Sequence, residues 1–144
     1  MVAFADTGFI ASLYLEESTS SAADAALGPN RVPLPLTPLV ELELRNALNR
    51  SVQRGRITAA QRDALWQDVE ADIASGFLVA TPVDIDELHK KARQLSDRHT
   101  PTLGTRSLDL LHIAAALVLG AEEFFSFDER QRKAAASEGL KVRP

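Results

Sequence analysis

The chain has 144 residues, 45% hydrophobic and 25% charged, which is enough for one well-formed core and excludes a disordered chain. It contains no cysteine, so disulfides, thiolate metal sites and thiol nucleophiles are all ruled out. A formal net charge of −4 excludes binding to nucleic acid by global charge alone, leaving only local basic strips to do so.

Val2–Ala5 reads as a short buried strand that gives way at Asp6-Thr7-Gly8 to a helix over about Phe9–Leu15. Ser18–Leu27 suits a second short helix, stopped by Gly28-Pro29. Val32–Thr37 is expected as a strand confined to an edge by Pro33 and Pro35. Thr37 as N-cap and Pro38 at the first helical position start a helix reaching Arg54, and Thr58 caps another over Ala59–Ser75. Phe77–Thr81 is a strand, followed by a helix over about Ile85–Arg98. The segment His99–Arg106, with proline, glycine and three threonines, is expected as a loop. Ser107 caps the apolar helix Leu108–Leu119; Glu123–Phe127 is a strand, Glu129–Ser137 a helix and Leu140–Val142 a last strand.

Strands alternating with helices predict a single α/β domain over 1–144 with a mainly parallel sheet. Leu110–Ala121, the longest stretch without formal charge, is too short to span a bilayer, and no leader is expected ahead of Asp6. The expectation is a cytoplasmic protein with no membrane contact.

Four carboxylates stand at the borders of apolar segments: Asp6, Glu43, Asp109 and Asp128. Each has an ordinary explanation. Asp6-Thr7-Gly8 is good turn chemistry, Asp109 sits in a first helical turn where the macrodipole favours an acid, and Asp128 can N-cap the helix from Glu129. Glu43 competes with Glu41, which has Arg45 at i+4 and suits a surface ion pair, whereas Glu43 has Ala47 there. Thr7 adds a hydroxyl beside the first acid, and Ser126 shares the side of Asp128 by strand alternation. His112 reads as a buried helix histidine and Trp66 as a packing residue.

Two unit charges about 5 Å apart repel by roughly 3 kcal/mol at an effective dielectric near 20, so clustered acids oppose folding unless a cation joins them. With three histidines lacking paired ligand spacing, a metal would be held by oxygen, which favours Mg²⁺ or Mn²⁺ over Zn²⁺. In open parallel sheets, sites gather beyond the carboxyl ends of strands, where Asp6 and Asp128 stand.

FADTGFIASLYLEE, LVELELRNALNR and SLDLLHIAAALVLGAEEFFSFDERQRKAA carry a resemblance to PIN-domain ribonucleases of the VapC toxin type across essentially the whole chain. That resemblance implies a PIN-like three-layer α/β/α sandwich with a mainly parallel central sheet. It matches Asp6, Glu43, Asp109 and Asp128 to the four family acids that bind metal and catalyse, with Thr7 and Ser126 as supporting hydroxyls. It further implies Mg²⁺-dependent cleavage of structured RNA, in tRNA or rRNA loops, with Mn²⁺ able to substitute. Arg45, Arg50 and Arg106 are candidates to hold phosphates. The implied partners are a VapB-like antitoxin and a second copy of the chain. The hairpin Pro38–Ser75, with Leu65 and Val69, is either a docking surface or ordinary core. Two other readings stand beside this one. One is a catalytically inactive PIN-like module that binds RNA or protein. The other is a haloacid-dehalogenase-like Mg²⁺ phosphotransferase with Asp6 as nucleophile, which lacks its usual second Asp because Gly8 stands there.

Overall fold

The computed structural model describes residues 2–144. In chain order the elements are β1 (Ala3–Ala5), α1 (Thr7–Ala11), α2 (Ser20–Leu27), β2 (Leu34–Leu36), α3 (Pro38–Gln53) and α4 (Ala59–Ser75). There follow β3 (Leu78–Ala80), α5 (Ile85–Leu103), α6 (Ser107–Val118), β4 (Glu123–Phe125), α7 (Glu129–Ser137) and β5 (Lys141–Arg143). The chain divides into two compact units, one made of residues 1–6 and 82–144, the other of Thr7–Thr81. Each unit has its own parallel sheet.

In the unit Thr7–Thr81, β2 pairs with β3 in the register Leu34↔Leu78 to Leu36↔Ala80. Pro35 cannot donate to a ladder, and a two-stranded sheet leaves each strand the free edge such a residue needs. Thr37 caps α3 by accepting from the Val40 amide. Thr58 and Gln61 cap α4 reciprocally, each side chain taking the other's backbone N–H. Val40, Leu44 and Leu48 form the buried stripe of α3, and Val69 is the fully buried residue of α4. Of the two expected docking positions, Val69 is therefore core and Leu65 is half-buried.

In the other unit, β4 lies between β1 and β5, with Phe4 opposite Phe124 and Phe124 opposite Val142. The rings of Phe4 and Phe124 stack at 6.0 Å with 6° between planes. Leu110, Ile113, Ala114, Ala115 and Ala116 bury most of α6, and His112 is buried with its ring 6.3 Å from Phe4.

Two sequence expectations fail here. The segment expected as a loop continues α5 to Leu103, with Pro101 inside the helix. Proline removes a single helical hydrogen bond near the end, where few remain to be lost. Tertiary ties then decide the conformation: buried His99 bonds Glu138 at 2.7 Å, and the Thr100 and Thr105 hydroxyls meet at 2.8 Å. Gly104, at φ 65°, supplies the left-handed residue that ends the helix. The second failure is the cap of α6, which is Arg106 rather than Ser107. Boundaries also move: β1 to β4 are shorter than expected, β5 lies one residue later, and α1 spans Thr7–Ala11 rather than reaching Leu15.

Candidate active site

Three of the four expected acids belong to one unit, and a continuous hydrogen-bond chain links them. Asp6 follows β1 and is 3% exposed. The Ser126 hydroxyl, beyond the end of β4 and fully buried, donates to Asp6 Oδ2 at 2.5 Å. Ser126 Oγ in turn accepts the Asp128 amide at 3.0 Å. Asp128 N-caps α7, its Oδ1 accepting from the Gln131 amide at 2.9 Å. Gln131 Nε2 then donates to Asp109 Oδ1 at 3.0 Å. Asp6 and Asp128 lie beyond the carboxyl ends of parallel β1 and β4, as the topology anticipates.

Asp109 is fixed on both sides. Its Oδ2 accepts the Arg106 backbone amide at 3.2 Å and the Arg106 Nε at 3.3 Å. The first bond is the N3-to-N-cap contact that starts α6. The second is an ion pair whose arginine is 70% exposed, so it contributes at most about 1 kcal/mol. Arg106, a candidate phosphate contact, thus already faces a site acid.

The fourth acid, Glu43, is in the other unit. It is half-buried on α3, and its Oε1 accepts from the Thr7 hydroxyl at 2.9 Å. Glu41, by contrast, is exposed. Thr7, Gly8, Glu43, Asn46, Ala47 and Arg50 line a cavity of about 260 Å³, which puts the Arg50 cation beside an acid and a hydroxyl. Arg45, expected to pair with Glu41, instead lays its guanidinium 4.0 Å from the centroid of the Trp66 ring.

Two residues of this region escaped sequence reasoning. Gln131 is 6% exposed and braces both Asp109 and the α7 terminus, while its Oε1 is buried with no hydrogen-bond partner. The spacing Asp128-Glu129-Arg130-Gln131 was a capping-box signal. Here, however, Ser126 Oγ takes the Asp128 amide that a capping-box glutamine would otherwise accept. Arg132 is the other, its guanidinium donating to the Ser126 carbonyl at 2.8 Å and so pinning the loop before Asp128.

Among the described residues, no three histidine, aspartate or glutamate side chains come together as a ready-made metal cage. Asp6, Asp109 and Asp128 do offer carboxylate oxygens, the donor type that a hard cation takes.

A profile of the PIN domain matches residues 3–137, and the chain belongs to the PIN domain family. Its fold is shared with VapC20 from Mycobacterium tuberculosis, described as a Sarcin-Ricin loop cleaving toxin, at 23% identity and a TM-score of 0.69, covering 99% of both chains. FitAcB from Neisseria gonorrhoeae is similar at 18% identity and a TM-score of 0.65, covering 99% of this chain and 96% of that one. VapBC2 from Rickettsia felis, bound to a DNA fragment from their promoter, matches at 12% identity and a TM-score of 0.67, covering 99% and 98%. No curated protein matches the chain in sequence. No helix among the described residues is long and apolar enough to cross a membrane.

Proposed function

We propose that the chain is a divalent-metal-dependent endoribonuclease of the VapC type, the toxin of a pair whose antitoxin is VapB-like. The observation that carries this reading is the chain of hydrogen bonds joining Asp6, Ser126, Asp128, Gln131 and Asp109. Two of these four bonds end on backbone amides, but the buried side-chain bonds from Ser126 to Asp6 and from Gln131 to Asp109 are ones that caps and turns alone do not require.

Asp6, Asp109 and Asp128 are the residues that would hold the cation, Mg²⁺ or in its place Mn²⁺, with Glu43 as the family's remaining acid. When bound, such an ion polarises a phosphodiester and lowers the pKa of a water. The protein's part is positioning. Ser126 fixes the Asp6 rotamer, Gln131 and Arg106 fix Asp109 from opposite sides, and Thr7 fixes Glu43. Arg50, which lines a cavity with Thr7 and Glu43, would hold a phosphate there. The substrate class is structured RNA cut in a single-stranded loop, since folded RNA exposes its bases there. The description of VapC20 as cleaving a loop agrees with this class. VapC-type proteins also imply a homodimer, for which gel filtration with light scattering is the direct measurement.

Incubation of the purified chain with structured RNA and Mg²⁺ or Mn²⁺ tests the reading, with EDTA and Asp6→Asn as controls. Cleavage is expected to vanish in both controls. Equal cleavage by wild type and Asp6→Asn would mean a contaminating nuclease, and inertness toward all cellular RNA would leave a binding module.

A further inference from the structure

From Leu44 to Arg62 the chain carries five arginines and no acid, while all 20 of its aspartates and glutamates and 11 of its 16 basic residues lie elsewhere. In a chain of net charge −4, this stretch of α3, the loop after it and the first turn of α4 therefore stands at +5 against −9 for the rest. Its cations are not equally engaged. Arg62 is bound to Asp63 and Asn49, and Arg45 lies over the Trp66 ring. Arg56 lines a cavity together with Glu16 and Glu17. Arg50 and Arg54 are exposed, and their side chains form no ion pair or hydrogen bond with the described residues.

Helix geometry puts these two arginines in line with Glu43. Seven residues are close to two turns and eleven close to three, so Arg50 and then Arg54, the C-cap, follow Glu43 along one face of α3. They stand about 10 and 16 Å further along the axis. Asn46 and Ala47 lie between, and with Thr7, Glu43 and Arg50 they line one cavity. The negative end of the helix dipole favours a cation in the last turn, which accounts for either arginine singly. It does not account for the pair, because like charges four residues apart on a helix repel. Nor does it account for 19 residues without one acid to neutralise them.

We propose that this face of α3 is a track for the backbone of RNA: a strand lying beside Glu43 is held at two of its phosphates by Arg50 and Arg54. The inference rests on the ribonuclease reading above and extends it from the cut to the path of the strand next to it. A guanidinium presents a planar fork of donors that matches the oxygens of a phosphate. Four residues of helix rise about 6 Å, so two side chains as long as arginine can address two phosphates of one strand. Such contacts fix the register of a strand without reading its bases. In a chain that is acidic elsewhere, the local excess of positive charge also decides where an RNA strand settles.

The test is binding of a fluorescein-labelled single-stranded RNA oligonucleotide to the full chain, followed by anisotropy across a salt series in EDTA so that no cutting intervenes. Each phosphate neutralised on a single strand contributes about 0.7 to the slope of log affinity against log salt. Arg50→Gln and Arg54→Gln are each expected to lower the slope by about that amount, and the double variant by about 1.4. Arg93→Gln removes an exposed arginine of α5 that makes no ion pair among the described residues, and is expected to leave the slope unchanged. Thermal unfolding establishes that each variant is folded; if the double variant is not, the two single ones decide. Three results overturn the proposal. The first is a slope within about 0.3 of wild type for the Arg50 and Arg54 variants. The second is an equal drop for Arg93→Gln, which means diffuse attraction. The third is displacement of the RNA by polyglutamate as readily as by polyuridylate of the same charge, which makes an acidic protein segment the occupant. A wild type that shows the expected slopes but cuts no RNA with Mg²⁺ or Mn²⁺ overturns the ribonuclease reading and leaves an RNA-binding surface. A cutting wild type with unchanged slopes in the variants overturns the track alone.

Discussion

Replacing Ser126 with alanine removes one oxygen that holds two groups. Its hydroxyl donates to the buried Asp6 carboxylate and accepts the Asp128 amide. A hydrogen bond to a charged group contributes about 1.5–3 kcal/mol, and a backbone amide left without its acceptor costs about 1 kcal/mol where solvent can partly reach it. The two sum to a destabilisation of about 2.5–4 kcal/mol for Ser126→Ala. For a chain of this length that lowers the melting temperature by roughly 8–12 °C. Urea unfolding followed by far-ultraviolet circular dichroism, in EDTA so that no cation contributes, measures the difference directly. A loss under about 0.5 kcal/mol, the size of an ordinary surface substitution, refutes the wiring of Asp6 to Asp128 through this hydroxyl.

Two further outcomes follow from ties outside the site. Burial pushes the Glu138 carboxyl up, but hydrogen bonds from His99 and Arg98 and the Arg98 charge outweigh burial and hold it below the usual range. A depressed folded value means stability present above the ordinary glutamate pKa, about 4.3, and lost as pH falls through the folded value. Glu138→Gln should therefore be less stable by about 1–2 kcal/mol near neutrality, with the gap closing on acidification below about pH 4. Urea midpoints of both proteins across that range check this, and a gap independent of pH counts against it. Tyr14 is half-buried and donates to Asp72 Oδ2 on α4 at 2.5 Å, and its phenol is pushed up by burial and then by the aspartate. Tyr14→Phe is expected to lose about 1–2 kcal/mol; a change within about 0.5 kcal/mol would show the bond to be incidental.

The sequence made the element order and the parallel pairing legible because caps and breakers bracket nearly every helix. Thr37-Pro38, Thr58 and Gly76 stand where the structure uses them. The failures have a common cause. Pro101 and Gly104 are local breakers, yet His99 and Thr100 are held by residues distant or just beyond, and local propensity yields to such contacts. At the site, the acids were readable from their position beside apolar runs. Glu43 is preferred to Glu41 because Ala47, not a cation, stands at its i+4; in the structure Glu43 is half-buried and accepts from Thr7, while Glu41 is exposed. The tie from Gln131 to Asp109 was not readable, because a glutamine three places after an N-cap signals a local turn-back. Only the competing hydroxyl of Ser126 sends it elsewhere. Arg45 was misread for a similar reason: a helical neighbour at i+4 was visible, while the Trp66 ring on the next helix was not.

Asp109 Oδ2 and Asp128 Oδ1 also hold the first turns of α6 and α7. On the proposed reading, chemistry and foldedness draw on the same oxygens, and an alanine at either place would loosen a helix while disarming the protein. Asparagine at 128 differs, for it deletes the charge yet preserves an acceptor for the Gln131 amide. Loss of activity without loss of the fold therefore has an open route through amides, and a family member that kept this architecture while abandoning catalysis would be expected to carry one.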